Sequence, residues 1–351
     1  MSPSDLLRMA LGSPLLMLSL ALVVSTMIVN GATDAANSIA EAVGTRSLGY
    51  GRAVLLAAAC EFLGLVGATL AGGAVAETMS GMVDFGGDPH AALVALCAAM
   101  VAIVTWAGAA WALGIPTSES HALIAGLSGA AIAVSGGPEG IVASAWSRVV
   151  VGLFLSTGLG LALGWVLTGA IRWLFADADR RKVDPLFGRV QVLGAAVSSL
   201  MHGAQDGQKF MATAMMCVSL AAAAGGGEAI DAAAPPTWMM FGCAALMATG
   251  TAIGGKRIVQ TVGEGVVPME RYQGAAASLS AGVSLFLSTV LGLPVSTTHA
   301  KTSAIVGTGM ATNGRSIDWS VAKEMVLAWV LTFPGCGAIG YALAWLLLRV
   351  L

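Results

Sequence analysis

Ten apolar stretches run the length of the chain, parted by short polar ones. They cover roughly 14–40, 53–76, 91–113, 116–135 and 147–175, then 190–222, 237–255, 272–292, 295–311 and 321–350. Most approach the roughly 20 helical residues needed to cross a bilayer core. No run shows the alternating segments, about ten residues long, of a membrane β-barrel. The pattern predicts an all-α polytopic membrane protein. Residues 14–30 are expected to be a retained span, because neither a basic leader nor a small-residue cleavage site accompanies them. The stretches 116–135 and 295–311 are short and follow a proline, so each is either a full span or a re-entrant piece.

The rare polar residues inside these stretches repeat. NGATDAANS (30–38) is answered by HGAQDGQKF (202–210), which places Asp34 and Asp206 in matching frames 172 residues apart. IPTSESHAL (115–123) is answered by LPVSTTHAK (293–301) at an offset of 178. Two motifs in one order at similar spacing indicate duplication: a first repeat over 1–175, a linker over 176–189 and a second repeat over 190–351. About five segments per repeat is an odd number, so the halves face opposite ways. Such inverted-topology repeats, with broken helices meeting at the bilayer midplane, are common in secondary transporters.

Composition agrees. Of 351 residues 57% are hydrophobic and 10% charged, against about 25% charged in a soluble domain. Mean hydropathy is +0.83. Forty-six glycines suit close helix packing. Five scattered cysteines without C-x-x-C support neither a metal site nor a disulfide framework. The net charge of −2 and the absence of a basic tract leave nucleic acid out of the expected partners. Arg180, Arg181, Lys182 and Arg189 place the central linker in the cytoplasm by the positive-inside rule. The loops with Arg46 and Arg52, and with Lys256, Arg257 and Arg271, then fall on the same side. The loop with Glu228 and Asp231 falls on the other, and Arg148 and Arg349 are exceptions.

Ionisable residues deep in a membrane are expensive and face a pathway or a partner. Asp34 and Asp206 are therefore candidate function residues; the alternative is a helix cap or a pair with a nearby lysine. Gly31 and Gly203 would let the helices break beside them, exposing carbonyls for a cation. Thr33, Asn37, Gln205 and Gln208 add polar atoms. In PTSES and PVSTT a proline opens a segment and hydroxyls follow in its first turn. A capped helix N-terminus of this kind favours an anion. His121 and His299 are expected to orient these motifs through hydrogen bonds.

The four motifs together resemble the signatures of the PiT inorganic phosphate transporters, as does TAIGGKRIVQTVG (251–263). Glu61 in ACEFLGLVG and Thr78 match the first-half counterpart. The resemblance covers about residues 25–345. It implies a secondary transporter, not an enzyme, that moves orthophosphate with Na⁺ or H⁺ across the plasma membrane and needs no cofactor beyond that ion. It implies a phosphate site of Thr33, Ser118, Ser120, Gln205, Ser296, Thr297 and Thr298, to which Glu119 and Lys209 are added as charged residues within the same motifs. Asp34, Asn37 and Asp206 would bind the coupling cation, Na⁺ included. Glu61, His121, His202 and His299 would support. A homodimer is left open, and so is another oxyanion such as sulfate.

The sequence departs from the family where Asn-Asp is usual, at Thr33-Asp34 and Gln205-Asp206. It also lacks the glutamate expected in 275–284. The halves differ from each other at two positions. Asn37 is answered by Lys209, and Glu119 by Thr297. Lys209 thus supplies a fixed ammonium in place of one mobile cation, Glu119 supplies a protonatable group for H⁺ coupling, or the two form a structural ion pair. A channel would want a continuous charged or carbonyl-lined pore, and an enzyme a nucleophile with a base; neither pattern is present.

Overall fold

The computed structural model describes residues 1–113, 117–225, 234–254, 256, 259, 267–314 and 317–350. Pro116, Glu228, Asp231, Arg257 and most of 255–263 lie outside the described residues. Every apolar stretch is helical. In the first half, α2 spans Pro14–Gly44, α3 Tyr50–Leu70, α5 Pro89–Leu113, α6 Glu119–Ser135 and α7 Ala143–Leu174. In the second, α8 spans Arg180–His202 and continues through a π-helical turn, Gly203–Gly207, into α9, Gln208–Ala224. Then come α10, Thr237–Ile253, α11, Arg271–Val290, α12, Thr297–Asn313, and α13, Trp319–Val350. Two short helices were not foreseen: α1, Pro3–Gly12, and α4, Ala74–Ser80. Ser2 and Asp5 cap α1 reciprocally.

Among the described residues six helices are long and apolar enough to cross a membrane: α2, α3, α5, α7, α11 and α13. Helices α6 and α12 have 17 residues each. At about 1.5 Å per residue they fall short of the roughly 30 Å hydrocarbon core. Both start in the protein interior, so the chain's breaks lie at the Pro-x-Ser motifs. This corrects the break expected at Gly31, because α2 runs unbroken through Asp34. At Gly203 the helix widens into a π turn instead of ending.

The packing is reciprocal between the halves. Helix α6 lies along α13 as α12 lies along α7, and α5 along α13 as α11 along α7. Helix α2 packs on α10 as the α8–π segment packs on α3, and α3 meets α10 directly. The glycines explain how closely. A Cβ on Gly31 would sit 2.3 Å from the Met247 carbonyl oxygen, and one on Gly203 would sit 2.1 Å from that of Glu61. Gly64 against Leu200 and Gly250 against Ile28 repeat the pattern. Gly31 and Gly203 are thus needed for backbone contact, not for breakage. Gly64→Ala is expected to cost about 1–3 kcal/mol by forcing backbone apart, measured as a lower thermal midpoint in detergent. An unchanged midpoint would show that the interface can slide open at no cost.

Candidate functional site

The breaks bring two helix N-termini together. Ser118 caps α6 by accepting from the His121 backbone N–H at 3.2 Å, and Ser296 caps α12 by accepting from His299 at 3.2 Å. Thr298 Oγ1 donates to the Thr117 carbonyl at 3.1 Å, which joins the two termini. The first turns of the two helices therefore lie side by side, and helix N-termini of this kind favour an anion.

Each aspartate reaches the opposite half's motif. Thr298 Oγ1 donates to Asp34 Oδ1 at 3.1 Å, and Ser120 Oγ donates to Asp206 Oδ1 at 2.8 Å. Asn37 Nδ2 donates to Asp34 Oδ1 (3.0 Å) and to Thr298 (2.9 Å). Lys209 Nζ does the same in the other half, to Asp206 Oδ1 and to Ser120, both at 2.7 Å. It also donates to the Val295 carbonyl at 2.5 Å. Thr297 donates to Asp206 Oδ2 at 3.3 Å. Each of these residues is at most 4% exposed, so this conformation closes the centre from both faces.

The surroundings of the two aspartates nevertheless differ in kind. Around Asp34 stand two neutral amides, Asn37 and Asn30, whose Nδ2 lies 3.4 Å from Asp34 Oδ2. The amide oxygens of Asn30 and Asn37 are buried with no hydrogen-bond partner among the described residues. Around Asp206 the matching positions hold His202 and Lys209. His202 Nε2 lies 3.1 Å from Asp206 Oδ2 and Nδ1 lies 2.7 Å from Glu61 Oε1. Nδ1 is thus hydrogen-bonded to Glu61, while Nε2 lies beside Asp206 without forming a hydrogen bond. Thr251 donates to the other Glu61 oxygen. Asp206 is saturated by the Lys209 ammonium and two hydroxyls, and Asp34 retains unsatisfied amide oxygens beside it. Ligand atoms of Asp34, His202 and Asp206 lie within 4.8 Å of one another.

Glu119 is 1% exposed and accepts from Thr33 Oγ1 at 2.8 Å through Oε1. Its Oε2 has no partner among the described residues. The Lys209–Glu119 ion pair considered from sequence does not form, since Lys209 is committed to Asp206. Gln205 is buried but braces the turn before α12. Its Nε2 donates to Thr289 (2.9 Å) and Leu293 O (3.2 Å), and its Oε1 accepts from Val295 N (3.3 Å). Gln208 caps α4 by accepting from the N–H groups of Val75 and Ala76. Thr78 donates to Gly292 O at 2.9 Å and so ties α4 to the turn after α11.

The histidine expectation needs correction. His121 stacks edge-on against His299, centroids 4.5 Å apart, and His299 lies 3.9 Å from the Trp329 ring. Neither nitrogen of the His121 ring has a hydrogen-bond partner among the described residues. These side chains pack aromatic surface, and only their backbone N–H groups serve the caps. Sequence reasoning also missed Asn30, and it missed a buried ion pair, Glu41–Lys301. The signals were present: Asn30 is four residues before Asp34, and Lys301 is a lysine inside an apolar segment.

A family model described as "Phosphate transporter family" matches residues 30–340. The chain is 34% identical over 343 residues to a "Probable low-affinity inorganic phosphate transporter" of Bacillus subtilis (strain 168), covering 96% of this chain and 99% of that one. A protein of the same description from Rhizobium meliloti (strain 1021) is 36% identical over 94% of this chain and 95% of its own. A solved structure titled "The sodium-dependent phosphate transporter" superposes with a TM-score of 0.83 at 23% identity, over 97% of this chain and 100% of that one. At that identity the match speaks for the fold alone. With a duplicated helical fold, two capped N-termini side by side and family motifs along nearly its whole length, the chain belongs to the phosphate transporter family.

Proposed function

We propose that the protein is a symporter that moves orthophosphate across the plasma membrane by alternating access, driven by a cation. Phosphate sits where α6 and α12 meet, held by first-turn N–H groups and by Ser120, Thr297 and Thr298. Ser118 and Ser296 shape the site as caps, and Lys209 adds a fixed positive charge. The observation that carries the reading is a charge balance. Four buried carboxylates, Asp34, Glu61, Glu119 and Asp206, face one internal ammonium, Lys209, and one histidine, His202. An uncompensated buried charge costs several kcal/mol, so Asp34 and Glu119 call for mobile cations.

The ligand sets divide these two roles. Asp34 with the free amide oxygens of Asn30 and Asn37 is an all-oxygen set suited to a hard cation, and we assign Na⁺ there. Glu119, with one free oxygen beside the anion, suits a proton. A protonated Glu119 would donate to phosphate, while an ionised one accepts from a protonated phosphate, which sulfate cannot offer. The 175–179 connection lies in the cytoplasm, on the strength of the charged stretch that opens α8.

Uptake into proteoliposomes under separate Na⁺ and pH gradients tests the assignment. The expected result is Na⁺-driven phosphate uptake that persists in Glu119→Gln but loses its response to the pH gradient. Uptake driven by pH alone and indifferent to Na⁺ would remove the Asp34 assignment. Sulfate uptake that phosphate fails to inhibit would remove the substrate assignment.

A further inference from the structure

One turn past the central site, the structure holds a second charged layer that the duplication does not explain. Lys301 follows Thr298 by three residues on α12, and Glu41 follows Asn37 by four on α2. Their side chains pair at 3.0 Å while 2% and 0% exposed. The Lys301 ammonium also donates to Ser198 of α8 and Ser278 of α11, each at 3.3 Å. Neither Glu41 carboxylate oxygen has a hydrogen-bond partner among the described residues, so the ammonium holds the group by charge. The offsets that align the motifs place Thr213, Leu123, Thr26 and Met100 at the matching positions in the other direction. The hydroxyl of Thr26 there faces the Met100 sulfur at 3.9 Å. One side of the centre is thus sealed by uncharged groups, a thioether, a leucine and two threonines, and the other by an ion pair among hydroxyls.

The polar side continues outward. Gln191 is 0% exposed and accepts from Thr45 (2.7 Å) and Ser47 (2.5 Å) one turn beyond the pair. Its Nε2 has no partner among the described residues. A Cβ on Gly274 would touch both this amide (2.0 Å) and the Glu41 Cβ (3.4 Å), so the two layers adjoin. Past Gln191 a surface recess of about 380 Å³ opens between Ser47, Arg189 and Arg271, whose guanidinium pairs with Asp184 at 2.8 Å. A column of polar groups therefore runs from the central site to a basic mouth on the face that carries the 175–179 connection.

We propose that Lys301, Ser198 and Ser278 form a second oxyanion site, a way station for phosphate between the central site and the basic mouth, which the Glu41 carboxylate fills as an internal stand-in when the path is closed. A carboxylate and a phosphate present the same acceptor oxygens to an ammonium, and the Ser198 and Ser278 hydroxyls, which accept from Lys301 here, can turn their own protons to a phosphate. Opening the path parts Glu41 from Lys301, and phosphate takes the vacated donors. The inference deepens the transport reading and rests on it.

Equilibrium binding of radiolabelled phosphate to purified protein, with Glu41→Gln prepared in phosphate, tests the station. The wild type is expected to bind one phosphate per chain. Glu41→Gln removes the competing anion and leaves the ammonium uncompensated, so it should bind two and gain more thermal stability from phosphate than the wild type does. Glu41→Gln/Lys301→Gln, which is neutral and near-isosteric, should return to one phosphate at central-site affinity and exchange phosphate across proteoliposomes about tenfold more slowly. A Glu41→Gln protein that binds one phosphate with the wild-type stability gain would overturn the station, as would a double variant exchanging at the wild-type rate. If the wild type binds none while Glu41→Gln binds one that the double variant loses, the station stands and the central reading fails.

Discussion

Asp206→Asn is expected to leave little folded transporter. Asp206 accepts from Lys209, Ser120 and Thr297, and lies 3.1 Å from His202, in surroundings that are fully buried. Replacing its carboxylate strands an ammonium next to a histidine that faces a second acid, Glu61. Removing one partner of a buried pair costs about 3–5 kcal/mol, a large share of the roughly 5–15 kcal/mol that holds a typical protein folded. Thermal melts of the detergent-purified protein should show the loss. Asp206→Asn/Lys209→Asn, which removes both charges, should recover part of it. An Asp206→Asn protein melting with the wild type would mean that the pair is balanced by groups other than those described.

Lys209→Asn alone is expected to change the coupling. The position would carry the residue that Asn37 provides in the first half, and Asp206 would lose its fixed counter-ion. A mobile cation would then be needed at both aspartates. Phosphate uptake should become more steeply dependent on Na⁺, gaining one Na⁺ per phosphate in flux ratios. The purified variant should also be stabilised by Na⁺ more than the wild type. Unchanged Na⁺ dependence and unchanged stoichiometry would sink the idea that Lys209 replaces a coupling ion. His202 stays in place in this variant, so the outcome isolates the lysine from the histidine.

The asymmetry between the two aspartates also explains why a duplicated site can serve a net-charged substrate. A pair of identical cation sites would both depend on the solution for charge. Here the second half contains its own, through Lys209, and the first half remains open. The same theme recurs one layer out, where Glu41 and Lys301 exist only on the side facing the basic mouth. Duplication supplied a symmetric frame, and charge was added to one side of each layer.

Much of this was legible in the chain. The ten apolar runs correspond to helices, most with boundaries off by a few residues, because burial in lipid or protein demands long apolar helix either way. The exception is α8, which begins at Arg180, so the linker expected over 176–189 is helical from that residue on. The repeats of Asp34 with Asp206 and of Ser118 with Ser296 exposed the duplication, since rare polar residues in apolar surroundings align unambiguously. The helix starts capped by Ser118 and Ser296 followed from local rules of helix capping, which act within one turn. What failed to be legible was partnership across the fold. The histidines at 121 and 299 looked polar but found each other's rings. Gln205 matched Thr33 by register, yet Thr33 reaches Glu119 while Gln205 braces the 289–295 turn.

The sequence by itself determined the elements, their order, the duplication and the residue types at the centre, because each depends on composition, periodicity or spacing along one segment. Long-range packing settled which half's hydroxyl meets which aspartate, that Lys209 answers Asp206 and not Glu119, and that Glu41 and Lys301 share one buried layer. Those pairings join residues up to 264 positions apart. They are set by glycine-to-carbonyl contacts that fix how α2, α3, α8 and α10 approach, and no local pattern carries that distance.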